Sequence, residues 1–123
     1  MIVKLLLKSG KKAGTVIPIG QTSFIIGRHP ESDLRIDSKV VSLRHCLITL
    51  ANGYVLVSDL ESSNGTYING ELIGSKHKVL NQDLLTIGTF EFEFVILPTG
   101  LITLGDENRF ESTVILPPSD NIA

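Results

Sequence analysis

Apolar positions along this chain come in short runs broken by turn-forming residues, the pattern of an all-β domain. Ile2–Leu7 predicts a first strand, followed by a turn at Ser9, Gly10 and Lys11 and a partner strand over 14–19. A third strand is expected over Ser23–Gly27. It runs into Arg28, His29 and Pro30, and a proline cannot continue a regular ladder. A short strand follows over 34–36. Segments 46–50 and 54–58 flank Ala51, Asn52 and Gly53, a strong hairpin signal, and 67–69 and 71–73 flank a second tight turn at Asn69 and Gly70. Val79, 84–88 and 90–97 supply the last strands. Phe90, Phe92 and Phe94 alternate with Glu91 and Glu93, which predicts aromatics facing in and carboxylates out. No segment keeps a helical period over three turns. Short strands at such regular spacing predict a β-sandwich with long functional loops at one end.

Composition narrows the picture further. A chain of 123 residues suits one domain with a single core. Tryptophan is absent and aromatics make up only 6%, so the core is expected to be Leu, Ile and Val, a bias that favours strands. The net charge of −2 argues against a broad nucleic-acid surface, so any anion site has to be local. The single cysteine, Cys46, excludes an internal disulfide and is expected to pack in the core. The apolar N-terminus is interrupted by Lys4 and Lys8 and lacks a cleavage site, so it is expected to be a strand, not a signal peptide. No stretch is long enough to span a bilayer, and a cytoplasmic location is expected. After Leu97 the character changes: Pro98, Gly100, Pro117 and Pro118 suggest a tail or linker. The domain is therefore expected over 1–97 and a tail, partly ordered or a linker, over 98–123.

Three loop segments hold most of the distinctive chemistry. Gly27 and Arg28 end a strand. Val41, Ser42, Leu43, Arg44 and His45 lead into the strand at Cys46. Asp59, Leu60, Glu61, Ser62, Ser63, Asn64, Gly65, Thr66, Tyr67, Ile68, Asn69 and Gly70 form the third. Together these are the parts of a phosphate receptor. A phosphoryl group carries about −1.5 to −2 charges and three strong acceptor oxygens. Arginine presents a rigid fork that matches them, while serine hydroxyls and loop N–H groups add neutral donors. Asparagine both donates and accepts, which suits it to clamping an extended backbone. From the residues alone, the reading stops at a possible anion site.

The order Gly-Arg, Ser-x-x-His, then Asp-Leu-x-Ser-x-Asn-Gly-Thr-x-x-Asn-Gly resembles the forkhead-associated (FHA) domain family over Gly27 to Gly70. The strand pattern extends the likeness from near the N-terminus to Leu97. The resemblance implies an eleven-stranded sandwich of the SMAD/FHA type that binds phosphothreonine peptides in Ser/Thr kinase signalling. It implies that Arg28, Ser42 and Ser63 contact the phosphate and that Asn64 holds the peptide backbone just after the phosphothreonine. Leu43 and Arg44 would lie against the peptide. Gly27, His45, Gly65, Thr66, Asn69 and Gly70 would shape the loops. Leu43 departs from the family, which commonly has Arg there. Loss of one charge-assisted contact costs about 1.5–3 kcal/mol, so Leu43 bears on affinity and peptide preference.

Other readings are weaker. Ser42, His45 and Asp59 lack the Gly-x-Ser-x-Gly elbow of a hydrolase, and no enzyme activity is expected. His29, His45 and His77 lack zinc-ligand spacing, His29 and His77 are expected at the surface, and no metal or cofactor is implied. The expected partner is a phosphothreonine protein, with no nucleic acid or membrane. Thr113 in the tail has an aliphatic residue, Leu116, three positions later, a spacing that the resemblance favours. It is therefore a candidate phosphosite for recognition by the same chain or a neighbour. The alternative is a phosphate-independent interaction or scaffolding module with the same fold.

Overall fold

The computed structural model describes residues 1–98. Eleven strands follow one another there: β1 (Ile2–Leu7), β2 (Val16–Ile19), β3 (Ser23–Gly27), β4 (Leu34–Arg35), β5 (Cys46–Ala51), β6 (Tyr54–Asp59), β7 (Thr66–Ile68), β8 (Glu71–Leu72), β9 (His77–Val79), β10 (Leu84–Ile87) and β11 (Phe90–Leu97). They form a six-stranded sheet in the order β2-β1-β11-β10-β7-β8 and a five-stranded sheet in the order β4-β3-β5-β6-β9. Every pairing is antiparallel except β3 with β4.

Side-chain alternation explains why these segments lie as they do. Val3 and Leu5 of β1, Phe92 and Phe94 of β11, Ile48 of β5 and Val55 and Val57 of β6 point between the sheets and are buried. Glu91 lies exposed on the opposite face, and Glu93 pairs with Lys8 there at 3.1 Å. The core is aliphatic with a few phenylalanines, as the composition requires. Cys46 is buried within it.

Several strand ends differ from the sequence expectation. β2 begins at Val16, not at 14, because Gly14 adopts φ +99° and its N–H bonds back to the Leu7 carbonyl, closing a longer turn than Ser9 to Lys11. β4 stops at Arg35, since Ile36 turns its N–H to Gly27 O. Thr66 rather than Tyr67 opens β7. His77, expected at the surface, is half-buried in β9 opposite Val57. Asn69 and Gly70 both have positive φ, 51° and 83°, as a tight hairpin turn between right-twisted strands demands.

Strand register gathers the functional loops. Ile26 of β3 lies beside Cys46 of β5, which lies beside Asp59 of β6. That row places the end of β3, the start of β5 and the end of β6 at one edge of the sandwich. The segments 28–33, 36–45 and 60–65 therefore share one end.

Candidate functional site

At this end the chain folds back on itself through backbone bonds. Arg28 N–H donates to Ser42 O at 2.9 Å, His29 N–H to Leu43 O at 3.1 Å, and His45 N–H to Ile26 O at 2.9 Å. The approach is so close that a Cβ at position 27 would lie 2.1 Å from Leu43 O. Gly27 is thus required by proximity, since its φ is not in the left-handed region.

Arg28 is half-buried, and its Nε–H donates to Val41 O at 3.0 Å. Among the described residues no carboxylate lies within ion-pairing distance of it. One edge of the guanidinium is therefore anchored to the backbone, while its terminal nitrogens carry a cation without a protein counter-charge. Such an arrangement is primed for an external anion.

Ser42 links the second and third loops, because its Oγ accepts the Ser63 N–H at 3.0 Å. That bond uses a lone pair and leaves the hydroxyl proton available to donate. Asn64 Nδ2–H donates to Val40 O at 2.8 Å, which ties the third loop to the residues preceding Ser42. Its carbonyl oxygen stays available. Ser63 and Asn64 are both exposed.

His45 is fully buried and bridges the two loops from beneath. Its Nδ1 accepts the Ser42 N–H at 3.1 Å and its Nε2 lies 2.8 Å from Gly65 O. A carbonyl can only accept, so Nε2 must carry the proton, and the network fixes the neutral Nε2–H tautomer. Both ring nitrogens are engaged with backbone, so His45 does not act on Ser42 Oγ as a base.

The third loop is wound around Asp59. Ser62 Oγ–H and Thr66 Oγ1–H donate to Oδ1 at 2.5 and 2.7 Å, and Ser62 N–H donates to Oδ2 at 3.1 Å. Ser62 Oγ in turn accepts the Gly65 N–H at 2.9 Å. Burial pushes the Asp59 carboxyl up, but the hydrogen bonds from Ser62 and Thr66 outweigh it and hold it below the ordinary range. Gly65 has φ +86°, and Leu72 Cδ1 would lie 2.6 Å from a Cβ there.

Of the residues singled out from sequence, Arg28, Ser42, Ser63 and Asn64 come together with His45, Gly27, Gly65 and Thr66 behind them. Asn69 and Gly70 shape a neighbouring feature instead: Asn69 bonds to Asp83 Oδ1 at 3.0 Å and receives the Leu84 N–H at 2.9 Å. Leu43 is 49% exposed and contributes its carbonyl to the loop. Arg44 lines one depression with Asp59, Leu60 and Glu61 and another with Ile25, His29, Glu31 and Ser32; neither includes Arg28, Ser42, Ser63 or Asn64. The sequence reading missed the carbonyls of Val40 and Val41, which orient Asn64 and Arg28, and a backbone acceptor leaves no mark in residue type. It also did not foresee that Ser62 winds the third loop around Asp59, although an acidic residue three positions before a serine signals such a side-chain-capped turn.

Residues 24–88, more than half of the chain, match the family model described as the FHA domain. The glycogen accumulation regulator GarA of Mycolicibacterium smegmatis is 38% identical over 94 residues, covering 76% of this chain and 59% of its own length. The oxoglutarate dehydrogenase inhibitor of Corynebacterium efficiens is 37% identical over 94 residues, covering 76% of this chain and 66% of its own length. The chain thus spans less than two thirds of either relative. A structure from a study of phosphothreonine-dependent FHA domain interactions superposes with a TM-score of 0.73 at 28% identity, covering 80% of this chain and all of that one. By its motif order, its two-sheet architecture and these likenesses, the chain belongs to the FHA domain family.

Proposed function

We propose that this chain is a phosphothreonine-binding module acting in Ser/Thr kinase signalling, a recognition domain and not an enzyme. The observation that carries the reading is Arg28: a half-buried guanidinium fixed through Nε to Val41 O, without a protein counter-charge, beside Ser42. Arg28 and the Ser42 hydroxyl take the phosphate oxygens, and Ser63 donates from the third loop. Asn64, steadied by Val40 O, clamps the peptide backbone just after the phosphothreonine. His45, Gly27, Gly65 and Thr66 hold the loops at the spacing this requires, while Leu43 and Arg44 flank the peptide. The pre-formed hydrogen bonds reduce the ordering cost of binding. Relatives bearing the names of a regulator and an inhibitor support a role exercised by binding.

In this proposal the binding domain occupies 1–97, 98–123 is a tail, and the protein works in the cytoplasm. The partner is a phosphothreonine protein, including this chain's own tail phosphorylated at Thr113, in the same or a neighbouring molecule. Thr113 lies outside the described residues. No helix among the described residues is long and apolar enough to cross a membrane.

The test is calorimetric titration of the full chain with a peptide spanning 109–118, phosphorylated at Thr113, beside its unphosphorylated twin and a phosphothreonine peptide library. Binding confined to phosphorylated peptides and abolished by Arg28→Ala is the expected result. Silence from the tail peptide alone removes self-recognition. Silence from the whole library, or binding indifferent to phosphate, removes the phosphothreonine reading in favour of a phosphate-independent module.

A further inference from the structure

No strand of the described residues covers the outer face of the six-stranded sheet, since all eleven lie within the two sheets. Strand register divides that face into two halves. Toward the β1–β2 turn it is charged, with Lys8 paired to Glu93 at 3.1 Å and Glu91 exposed. Toward the end of β11 it is apolar. Ile2, Leu6, Val16, Pro18, Val95 and Leu97 share this side, because Val3, Leu5, Ile19 and Phe94, which alternate with them, point into the core. Ile2, Val16 and Leu97 are 40%, 52% and 43% exposed, and Pro18 is exposed as well. Lys4 lies between Val95 and Pro18 and lends the patch its aliphatic stem. Single exposed apolar side chains are ordinary, but six adjoining ones on one face mark a contact surface.

We infer that this patch is the docking surface for residues 101–107 of the same molecule, running back antiparallel to β11. That segment lies outside the described residues, and its sequence and point of departure carry the argument. The chain leaves β11 at Leu97, which pairs with Ile2 at the margin of the patch. Pro98 and Gly100 are turn-forming residues where a return is needed. β11 already has β1 and β10 on its two sides, so a returning segment crosses the face and cannot extend the sheet beside it. A return from there puts position 101 level with Ile2 and position 107 level with Lys8, about 20 Å on in both segments. Leu101, Ile102 and Leu104 then cover the apolar half, and Asp106 and Glu107 reach the turn that carries Lys11 and Lys12. Both lysines are exposed, and neither has a carboxylate within ion-pairing distance among the described residues. Apolar then acidic along the tail thus matches apolar then basic along the sheet. The docking involves none of Arg28, Ser42, Ser63 and Asn64, so it stands apart from the phosphothreonine reading.

The experiment uses the full, unphosphorylated chain carrying Val16→Cys and Gly105→Cys, joined by a short bis-maleimide. Val16 is exposed on an edge strand, so its substitution is expected to leave the fold intact; circular dichroism checks this, and Pro18→Cys on the same strand replaces it otherwise. Cys46 is buried and stays out of the reaction. The rate of crosslinking within one molecule is compared between the native tail and two altered tails of the same length. Leu101→Ser with Leu104→Ser should slow it about tenfold or more. Asp106→Lys with Glu107→Lys should slow it about threefold. A rate unchanged by the serine pair means that the tail is near the patch only because it is tethered there, and overturns the docking. A rate unchanged or raised by the lysine pair overturns the placement against Lys11 and Lys12. Crosslinks found only between molecules, as covalent dimers, overturn docking within one chain.

Discussion

Gly27→Ala replaces one hydrogen by a methyl group at the point where β3 and the second loop nearly touch. The added carbon would lie 2.1 Å from the Leu43 carbonyl oxygen, 2.9 Å from its carbon and 3.1 Å from Arg44 Cα. All three are backbone atoms that cannot rotate aside, so the segments must part by about 1 Å to reach ordinary contact. The bonds from Arg28 N to Ser42 O, at 2.9 Å, and from His29 N to Leu43 O, at 3.1 Å, cross the same gap. Such a separation takes both beyond hydrogen-bonding range. Two lost bonds at about 1 kcal/mol each, with about 1–3 kcal/mol for overpacking, give a destabilisation of about 3–5 kcal/mol. That is a large share of the roughly 5–15 kcal/mol that holds a small domain together. Urea unfolding followed by circular dichroism measures it, with two internal controls. Gly53 has φ +88° and open space around it, so Gly53→Ala should cost only the left-handed strain, about 1–2 kcal/mol. Gly20 has neither a positive φ nor a neighbour within 4 Å, and Gly20→Ala should stay within about 0.5 kcal/mol of wild type. If Gly27→Ala is no worse than Gly53→Ala, the close approach that aligns Arg28 with Ser42 is wrong.

His45→Ala strands the Ser42 N–H and the Gly65 carbonyl in a buried site and opens a cavity. It should lower the unfolding free energy by about 3–5 kcal/mol and weaken phosphopeptide binding, read by denaturation and calorimetry. For Asp59, the folded carboxyl titrates below its unfolded value of about 4. Its contribution is thus fully present above that pH and is lost as pH falls through the folded value. The urea midpoint should accordingly drop more steeply on acidification in wild type than in Asp59→Asn. Burial pushes the Cys46 thiol well above its ordinary range. A thiol-reactive dye should therefore label the native protein only at the rate of unfolding; rapid native labelling would contradict the core placement. Arg28→Lys keeps the charge but loses the fork and the Nε anchor to Val41 O, and should weaken phosphopeptide binding about tenfold or more.

Much of the architecture was legible in the order of residues because alternation is a local property. The bounds Ile2–Leu7, Ser23–Gly27 and Phe90–Leu97 are the same in sequence pattern and structure, and the carboxylates of Glu91 and Glu93 face out as their spacing requires. Asn69 and Gly70 announced a tight turn for an equally local reason, since few residues tolerate two successive positive φ angles. The proposed site residues Arg28, Ser42, Ser63 and Asn64 were picked out by their order along the chain, a family signature carried by residue identity.

Contacts between segments distant in sequence were decided only by the tertiary structure. Nothing local sets β11 beside β1, or β4 parallel beside β3. The row joining Ile26, Cys46 and Asp59, which brings three loops to one end, follows from pairing across the sheet. His45 could be suspected of bracing loops, but its tautomer depends on Ser42 N–H on one side and Gly65 O on the other. The carbonyls of Val40 and Val41 matter through their positions, as does Leu72, whose Cδ1 closes over Gly65. Short-range chemistry is written residue by residue. The register that aligns one strand's end with another's start arises only when the sheets close over a shared core, and that register brings four scattered polar residues together at one end.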